Sequence, residues 1–367
     1  MVTYIIVCII AILFALSESL GLYKYGLLFG FIVTTVLYAL HYDFGNDYHS
    51  YYDWFIETLD IDFPTSFTEF MDLSRDPGWD IINYIFGFLF GRYGFFVLVA
   101  VFGVLQSCSY YSLIRKYVSP QWYWFSMTVY VFTPALFLQS FNVMRLSLVM
   151  CIFALIIPML QQKKIILPTL LLILCTLIHG SSIILIPVAL LSLIPLKPRA
   201  LAIISIILLI SCFLLRSFFT SFFTNFENLH LVDRFAHYLE DQEKNTFRLG
   251  YIASLIPFLI LIAKLLSKEI DSSYYWVICI WLIGVIITPL SGITTIIERL
   301  TFYFQTVSII VLPLVYSQVK NPIFRISFIA VWLILASIGI HNYMVIDSVF
   351  YEPYKEYRTI FFSPLMK

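Results

Sequence analysis

The chain has 367 residues, 61% of them hydrophobic and only 12% charged, and its acids and bases cancel to a formal net charge of zero. That composition excludes an ordinary soluble domain. It also offers no basic excess or motif pointing to nucleic-acid binding.

A helix that crosses a bilayer needs about 20 mainly apolar residues. In chain order, the first candidates are 2–20 and 25–41. The first lacks the basic stretch that opens a cleaved signal peptide, so a retained helix is expected. An acidic, aromatic outer loop follows at 42–93, with Pro64 and a turn-like Asp76-Pro77-Gly78. Its second half, 79–90, has apolar residues at helical spacing and is predicted to lie along the membrane surface. Further spans are read at 94–114, 121–138, 142–160, 164–178, 182–196 and 200–216. The two runs flanking His179 are short, which suits a broken or re-entrant pair. A second outer loop, 217–248, opens with phenylalanines and turns polar. The last candidates are 249–267, 273–288, 299–317 and 323–340. Barrel strands would alternate apolar and polar residues, and these runs do not. The predicted fold class is therefore all-α: a polytopic membrane helical bundle of about 12 transmembrane helices, residues 1–367 forming one integral domain.

Basic residues crowd every second short loop: Lys24, Arg115 and Lys116, Lys163 and Lys164, Lys197 and Arg199, Lys264 and Lys268, Lys320 and Arg325. Those loops are expected to face the cytoplasm. An even number of spans puts both termini outside, although Lys355, Arg358 and Lys367 in the tail run against the rule. The six cysteines lie inside apolar runs without paired spacing and read as small core residues.

Four polar constellations then fall on the outer side. His41–Tyr52 carries Asp43, Gly45, Asp47 and Tyr48; carboxylates beside aromatic rings suit sugar recognition or proton transfer, and equally an exported loop with an interfacial tyrosine belt. Asn142 and Arg145 are three apart and predicted to share a helical face. An arginine just inside an apolar span either faces a polar cavity or snorkels to the interface. His179 sits in the polar break Ile178-His179-Gly180-Ser181-Ser182, as a general base, a phosphate donor or a hydrogen-bonded cap. Glu298, Arg299 and Tyr303 share the last constellation, with Arg299 and Tyr303 at i, i+4. Arg216 and Arg248 also lie at outer span ends. Several arginines at one level would clamp a diphosphate, since the guanidinium fork matches phosphate oxygens; four independent interfacial anchors are the alternative, and the coincidence of these arginines with the acidic loop and His179 on one face favours a shared cavity. No phosphate-binding glycine loop, zinc motif or serine nucleophile elbow is present. Asp43 and Asp47 lack a third ligand for a cation, so no metal or cofactor is expected.

Taken together these residues resemble the Wzy-type O-antigen and exopolysaccharide polymerases, in particular the EpsG-like family. The likeness runs in order through Tyr42-Asp43-Phe44-Gly45-Asn46-Asp47-Tyr48, Asp76-Pro77-Gly78-Trp79 with Ile82-Asn83, Asn142-x-x-Arg145, His179-Gly180-Ser181-Ser182 and Glu298-Arg299 with Tyr303-Phe304, to the aromatic tail at 351–362. His41 stands where that family usually has Arg, and Asn46 where it has Thr. The resemblance implies a fold like the lipid-linked (GT-C-like) membrane glycosyltransferases. It implies a metal-independent enzyme of the bacterial inner membrane with its active site on the periplasmic or outer face. Such an enzyme transfers a growing glycan from undecaprenyl diphosphate to an undecaprenyl-diphosphate-linked repeat unit, among membrane lipids and alongside a chain-length regulator. On that reading Asp47 is the base, with His179 as the other candidate. Arg145, Arg299 and Arg248 hold the diphosphate, and Asp43, Tyr48, Asn142, Glu298 and Tyr303 meet the glycan. The rival enzyme is an O-antigen ligase, which shares the donor. The rival outside enzymes is a lipid-linked-glycan flippase or secondary transporter, which would place charges near the bilayer midplane.

Overall fold

The computed structural model describes residues 1–61, 63–64, 66, 68–69, 76–218, 249–291, 293, 295–346, 354 and 356–362. Nearly all of the second outer loop lies outside these residues, Arg248 included.

The chain forms two compact units, Met1–Pro187 with Ser337–Lys367, and Val188–Ala336. In the first, α1 (Val2–Ser19) and α2 (Gly26–Ala39) pack as a hairpin. On α1 the buried residues are Tyr4, Cys8, Ala11 and Ala15, one stripe at helical spacing, while Ile6, Ile9, Ile10 and Leu13 are exposed. Exposed aliphatic rows of this kind are what a bilayer-facing surface presents. After α2 come β1 (His41–Tyr42), α3 (Tyr48–Leu59) and α4 (Pro77–Phe90). The helix expected over 79–90 is thus present and starts two residues earlier, with Pro77 at its first position, where a missing N–H costs nothing. A break at Gly91–Tyr93 leads into α5 (Gly94–Tyr117).

The span expected at 121–138 is not one helix. α6 (Tyr123–Phe132) ends at Thr133, which is extended (φ −88°, ψ 111°) because the residue before Pro134 is barred from the helical region. A short 3-10 turn, Leu138–Phe141, then leads to α7 (Met144–Gln161). α8 (Ile166–Ile178) stops at His179, and a 3-10 turn (Gly180–Ile184) runs into α9 (Leu185–Leu191). The expected break around His179 is therefore seen.

The second unit contains α10 (Pro198–Leu214), α11 (Leu249–Leu266), α12 (Tyr275–Ile287), α13 (Thr295–Gln305), α14 (Ser308–Ser317) and most of α15 (Pro322–His341). The span read at 299–317 is bent by 59° between α13 and α14. The bend falls where a new helix nucleates: the amides of Ile310 and Val311 both donate to the Val307 carbonyl. Among the described residues, five helices are long and apolar enough to cross a membrane, or six counting the bent pair; five more apolar helices are shorter.

Each unit has a basic end. In the first, Glu18 at the foot of α1 accepts from Arg115 at the end of α5 (2.6 Å) and from the Leu27 amide (2.8 Å). The Ser19 hydroxyl accepts from the Trp124 amide, and Tyr117 donates to Gln161. The loops carrying Lys24, Arg115 and Lys163 therefore gather at one end. In the second unit, Arg199 donates to the Leu266 carbonyl (3.2 Å), and Lys264 pairs with Glu269 (2.6 Å). Alternate loops thus meet in space as the charge pattern implies.

Candidate functional site

The far end of the first unit is built around the segment after α2. β1 pairs antiparallel with β2 (Arg358–Thr359), His41 opposite Thr359 and Tyr42 opposite Arg358. Tyr357 donates to the Leu37 carbonyl (2.6 Å), and the buried Phe44 ring meets Phe141, Tyr354 and Tyr357 edge-on. Asp43 adopts φ +52° and Gly45 φ +117°. A Cβ at Gly45 would lie 2.5 Å from the Phe141 carbonyl oxygen and 2.7 Å from Asn142 Oδ1, so only glycine fits this turn. The next amide, Asn46 N–H, donates to Asn142 Oδ1 at 2.7 Å, and Asn142 Nδ2 donates to Tyr343.

Several side chains singled out from sequence are spoken for by the scaffold. Asn142 precedes α7, so it does not share a helical face with Arg145; its amide braces the Asp43–Asp47 turn. Tyr48 is fully buried, its ring covered by His41, Tyr42 and Phe95. His41 is also fully buried and bonded through Nδ1 to the Tyr38 carbonyl; burial holds its pKa down to about 4. The residue that replaces the usual Arg is thus a neutral core ring. Asp43 is engaged by His49 Nε2 at 2.6 Å. Among the described residues, no three His, Cys, Asp or Glu side chains converge as a metal ligand set.

Asp47 stands at the N-terminal boundary of α3, half-buried, and its charge helps raise the pKa of the Tyr51 and Tyr354 phenols, for which burial is the largest cause. Tyr51 leads from Asp47 to the centre of the site. It and Trp54 lie one turn apart on α3, and the Arg145 guanidinium sits between their rings, 5.7 Å from Tyr51 and 4.9 Å from Trp54. Nη1 of Arg145 donates to Asp76 Oδ2, and Nε approaches the Tyr51 hydroxyl at 3.5 Å. Arg145 keeps 19% of its side-chain surface exposed and Asp76 10%. The arginine therefore faces a polar enclosure rather than snorkelling alone.

Asp76 has a second partner: its Oδ1 accepts from the Gly180 amide at 3.2 Å. One carboxylate joins the first turn of α7 to the turn that follows His179. The approach is close, for a Cβ on Gly78 would lie 2.9 Å from the Leu177 backbone. His179 itself is 6% exposed, its amide bonded to the Cys175 carbonyl and its carbonyl to the Ser182 amide. Beyond the Trp54 ring, its Nε1–H donates to Asp80 Oδ1 at 2.7 Å.

The first unit thus brings Asp47, Arg145 and the His179 turn to one end, joined by three groups that sequence reasoning missed: Asp76, Trp54 and Asp80. Asp76 was visible as a turn residue and as part of the Asp76-Pro77-Gly78-Trp79 motif, with no role at the site, although an acid directly before a helix-starting Pro is a recognisable signal. Glu298, Arg299 and Tyr303 lie in the second unit on α13; Glu298 and Arg299 are half-buried and Tyr303 is fully buried.

No curated protein and no solved structure matches this chain. A family model does, over residues 24–359, which spans the motifs described above except the last three residues of the aromatic tail. With its run of apolar helices, that match marks a multi-pass membrane protein of polysaccharide biosynthesis, and the chain belongs to the EpsG family.

Proposed function

We propose that this protein is an exopolysaccharide or O-antigen polymerase. It would move a growing glycan from undecaprenyl diphosphate onto a repeat unit carried by the same lipid, at the outer face of the bacterial inner membrane. The observation that carries this reading is Arg145: a guanidinium in the first turn of an apolar helix, flanked by two aromatic rings, at the end of the unit opposite its basic loops.

The chemistry follows from that placement. The bond between the donor's anomeric carbon and the diphosphate oxygen breaks, and the electron pair leaves with the diphosphate. Arg145, in the first turn of α7, favours that negative charge as it builds. The acceptor hydroxyl attacks the anomeric carbon from the opposite face, and its proton passes to a carboxylate, for which Asp47 is the candidate. Arg299 is a second candidate for holding the diphosphate, on the strength of its motif. The energy for transfer is stored in the donor's sugar–diphosphate bond.

Deleting the gene is expected to leave lipid-linked single repeat units and no long chains. Restoring Arg145→Ala at the wild-type protein level is expected not to recover chain growth. Normal chain length in that strain would overturn the proposal. Long chains that accumulate on the carrier lipid but fail to reach a lipid core would identify a ligase instead.

A further inference from the structure

A cavity of about 150 Å³ opens between α3 and α4, lined in part by Trp54, the residue whose ring the Arg145 guanidinium overlies. Trp54, Glu57 and Thr58 form one wall, spaced along one face of α3. Asp80, Ile81 and Tyr84 form the other. Its chemistry is opposite to that of the Arg145 enclosure. It presents two carboxylates, Glu57 and Asp80, and among the described residues no cation lines it. Phosphate is repelled there, whereas carboxylates accept hydrogen bonds from hydroxyl groups. The aromatic surfaces of Trp54 and Tyr84 supply flat apolar area, and the Trp54 ring is locked in place by its bond to Asp80 (2.7 Å).

We propose that this cleft is a subsite for an uncharged sugar ring, so that Trp54 is shared by an anion-binding site and a polyol-binding site. The assignment rests on the glycan-transfer reading above and adds to it the place where the sugar next to the diphosphate is held. A lipid-linked repeat unit joins those two chemistries across a single glycosidic phosphate bond. A guanidinium over the face of the indole, and a carboxylate at its Nε1–H edge with a second one in the cleft, match that polarity.

The test uses the full-length protein in lipid nanodiscs and two probes: lipid-linked repeat units extracted from the deletion strain, and undecaprenyl diphosphate without a glycan. Glu57 is exposed, so Glu57→Gln is not expected to disturb folding; Tyr84→Ala provides an independent probe of the same cleft. Each variant is expected to raise KM for the lipid-linked repeat unit about tenfold, through loss of one hydrogen bond to a charged acceptor in Glu57→Gln and of apolar contact with the sugar face in Tyr84→Ala. Inhibition by glycan-free undecaprenyl diphosphate is expected to stay at the wild-type concentration. An unchanged KM in both variants, beside an inactive Arg145→Ala, removes the sugar subsite and leaves the transfer reading standing. An equal shift in the glycan-free inhibitor also removes it, because the cleft would then serve the lipid diphosphate. If Arg145→Ala changes neither probe, the transfer reading falls and the subsite falls with it.

Discussion

Asp76→Asn isolates the charge that holds Arg145, because asparagine keeps an oxygen for the Gly180 amide while losing the ion pair. Breaking a fully buried pair costs about 3–5 kcal/mol. Here Arg145 keeps 19% of its surface exposed and the Tyr51 and Trp54 rings still flank it, so a loss of about 2 kcal/mol is the sounder figure. Expressed in the transition state, that is about a 30-fold fall in the rate of chain growth. The assay is polymer formation by purified protein in nanodiscs, with thermal unfolding measured on the same samples. Asp76→Glu should retain more activity than the asparagine variant, since it keeps the charge. The double swap Asp76→Arg with Arg145→Asp restores the pair but moves the cation to the loop before α4. It should recover stability without recovering activity. If the swap restores polymerisation, the pair is merely structural, and the reasoning that makes Arg145 a functional cation fails.

Three further outcomes follow from the same geometry. Gly45→Ala forces a Cβ to within 2.5 Å of the Phe141 carbonyl at φ +117°, and should destabilise the protein by about 2 kcal/mol or more, read as a lower melting temperature; a variant as stable as wild type would contradict the turn. His41 is buried neutral, its pKa held near 4 against an ordinary 6.5. Its contribution is therefore fully present above pH 6.5 and is lost as the pH falls toward 4, by about 3 kcal/mol in all. Wild type should lose stability over that window and His41→Phe should lose less; parallel melting curves would refute the assignment. Arg299→Ala should block chain growth without lowering the protein level, and normal polymer in its place would remove that residue from the diphosphate role.

What was legible in the sequence was whatever a local pattern can carry. Apolar length marked α1, α5, α7, α12 and α15; the helical spacing over 79–90 marked α4; and the alternation of basic loops anticipated that those carrying Lys24, Arg115 and Lys163 gather at one end. The failures come from tertiary and backbone constraints. Thr133-Pro134 cut a span that hydropathy read as continuous. Asn142 looked like a partner of Arg145 by spacing, but its amide is consumed by Asn46 and Tyr343, one far upstream and the other far downstream. Tyr48 looked like a sugar platform until its ring proved to be packed on both sides. Asp76 was read as a turn because its partners, Arg145 and Gly180, are distant in sequence, and no local spacing reports such a pair.

The pairing of His41–Tyr42 with Arg358–Thr359 sets the order in which this protein can mature. The turn carrying Asp43, Gly45 and Asp47 is made early in synthesis, yet the strand beside it and the rings of Tyr354 and Tyr357 belong to the last residues described. Closing so long a stretch of chain comes late in folding. A growing polypeptide therefore holds this turn without its partner strand until residues 354–359 have been made. A chain that stops short of β2 keeps its apolar helices but lacks the strand and the rings that brace this turn.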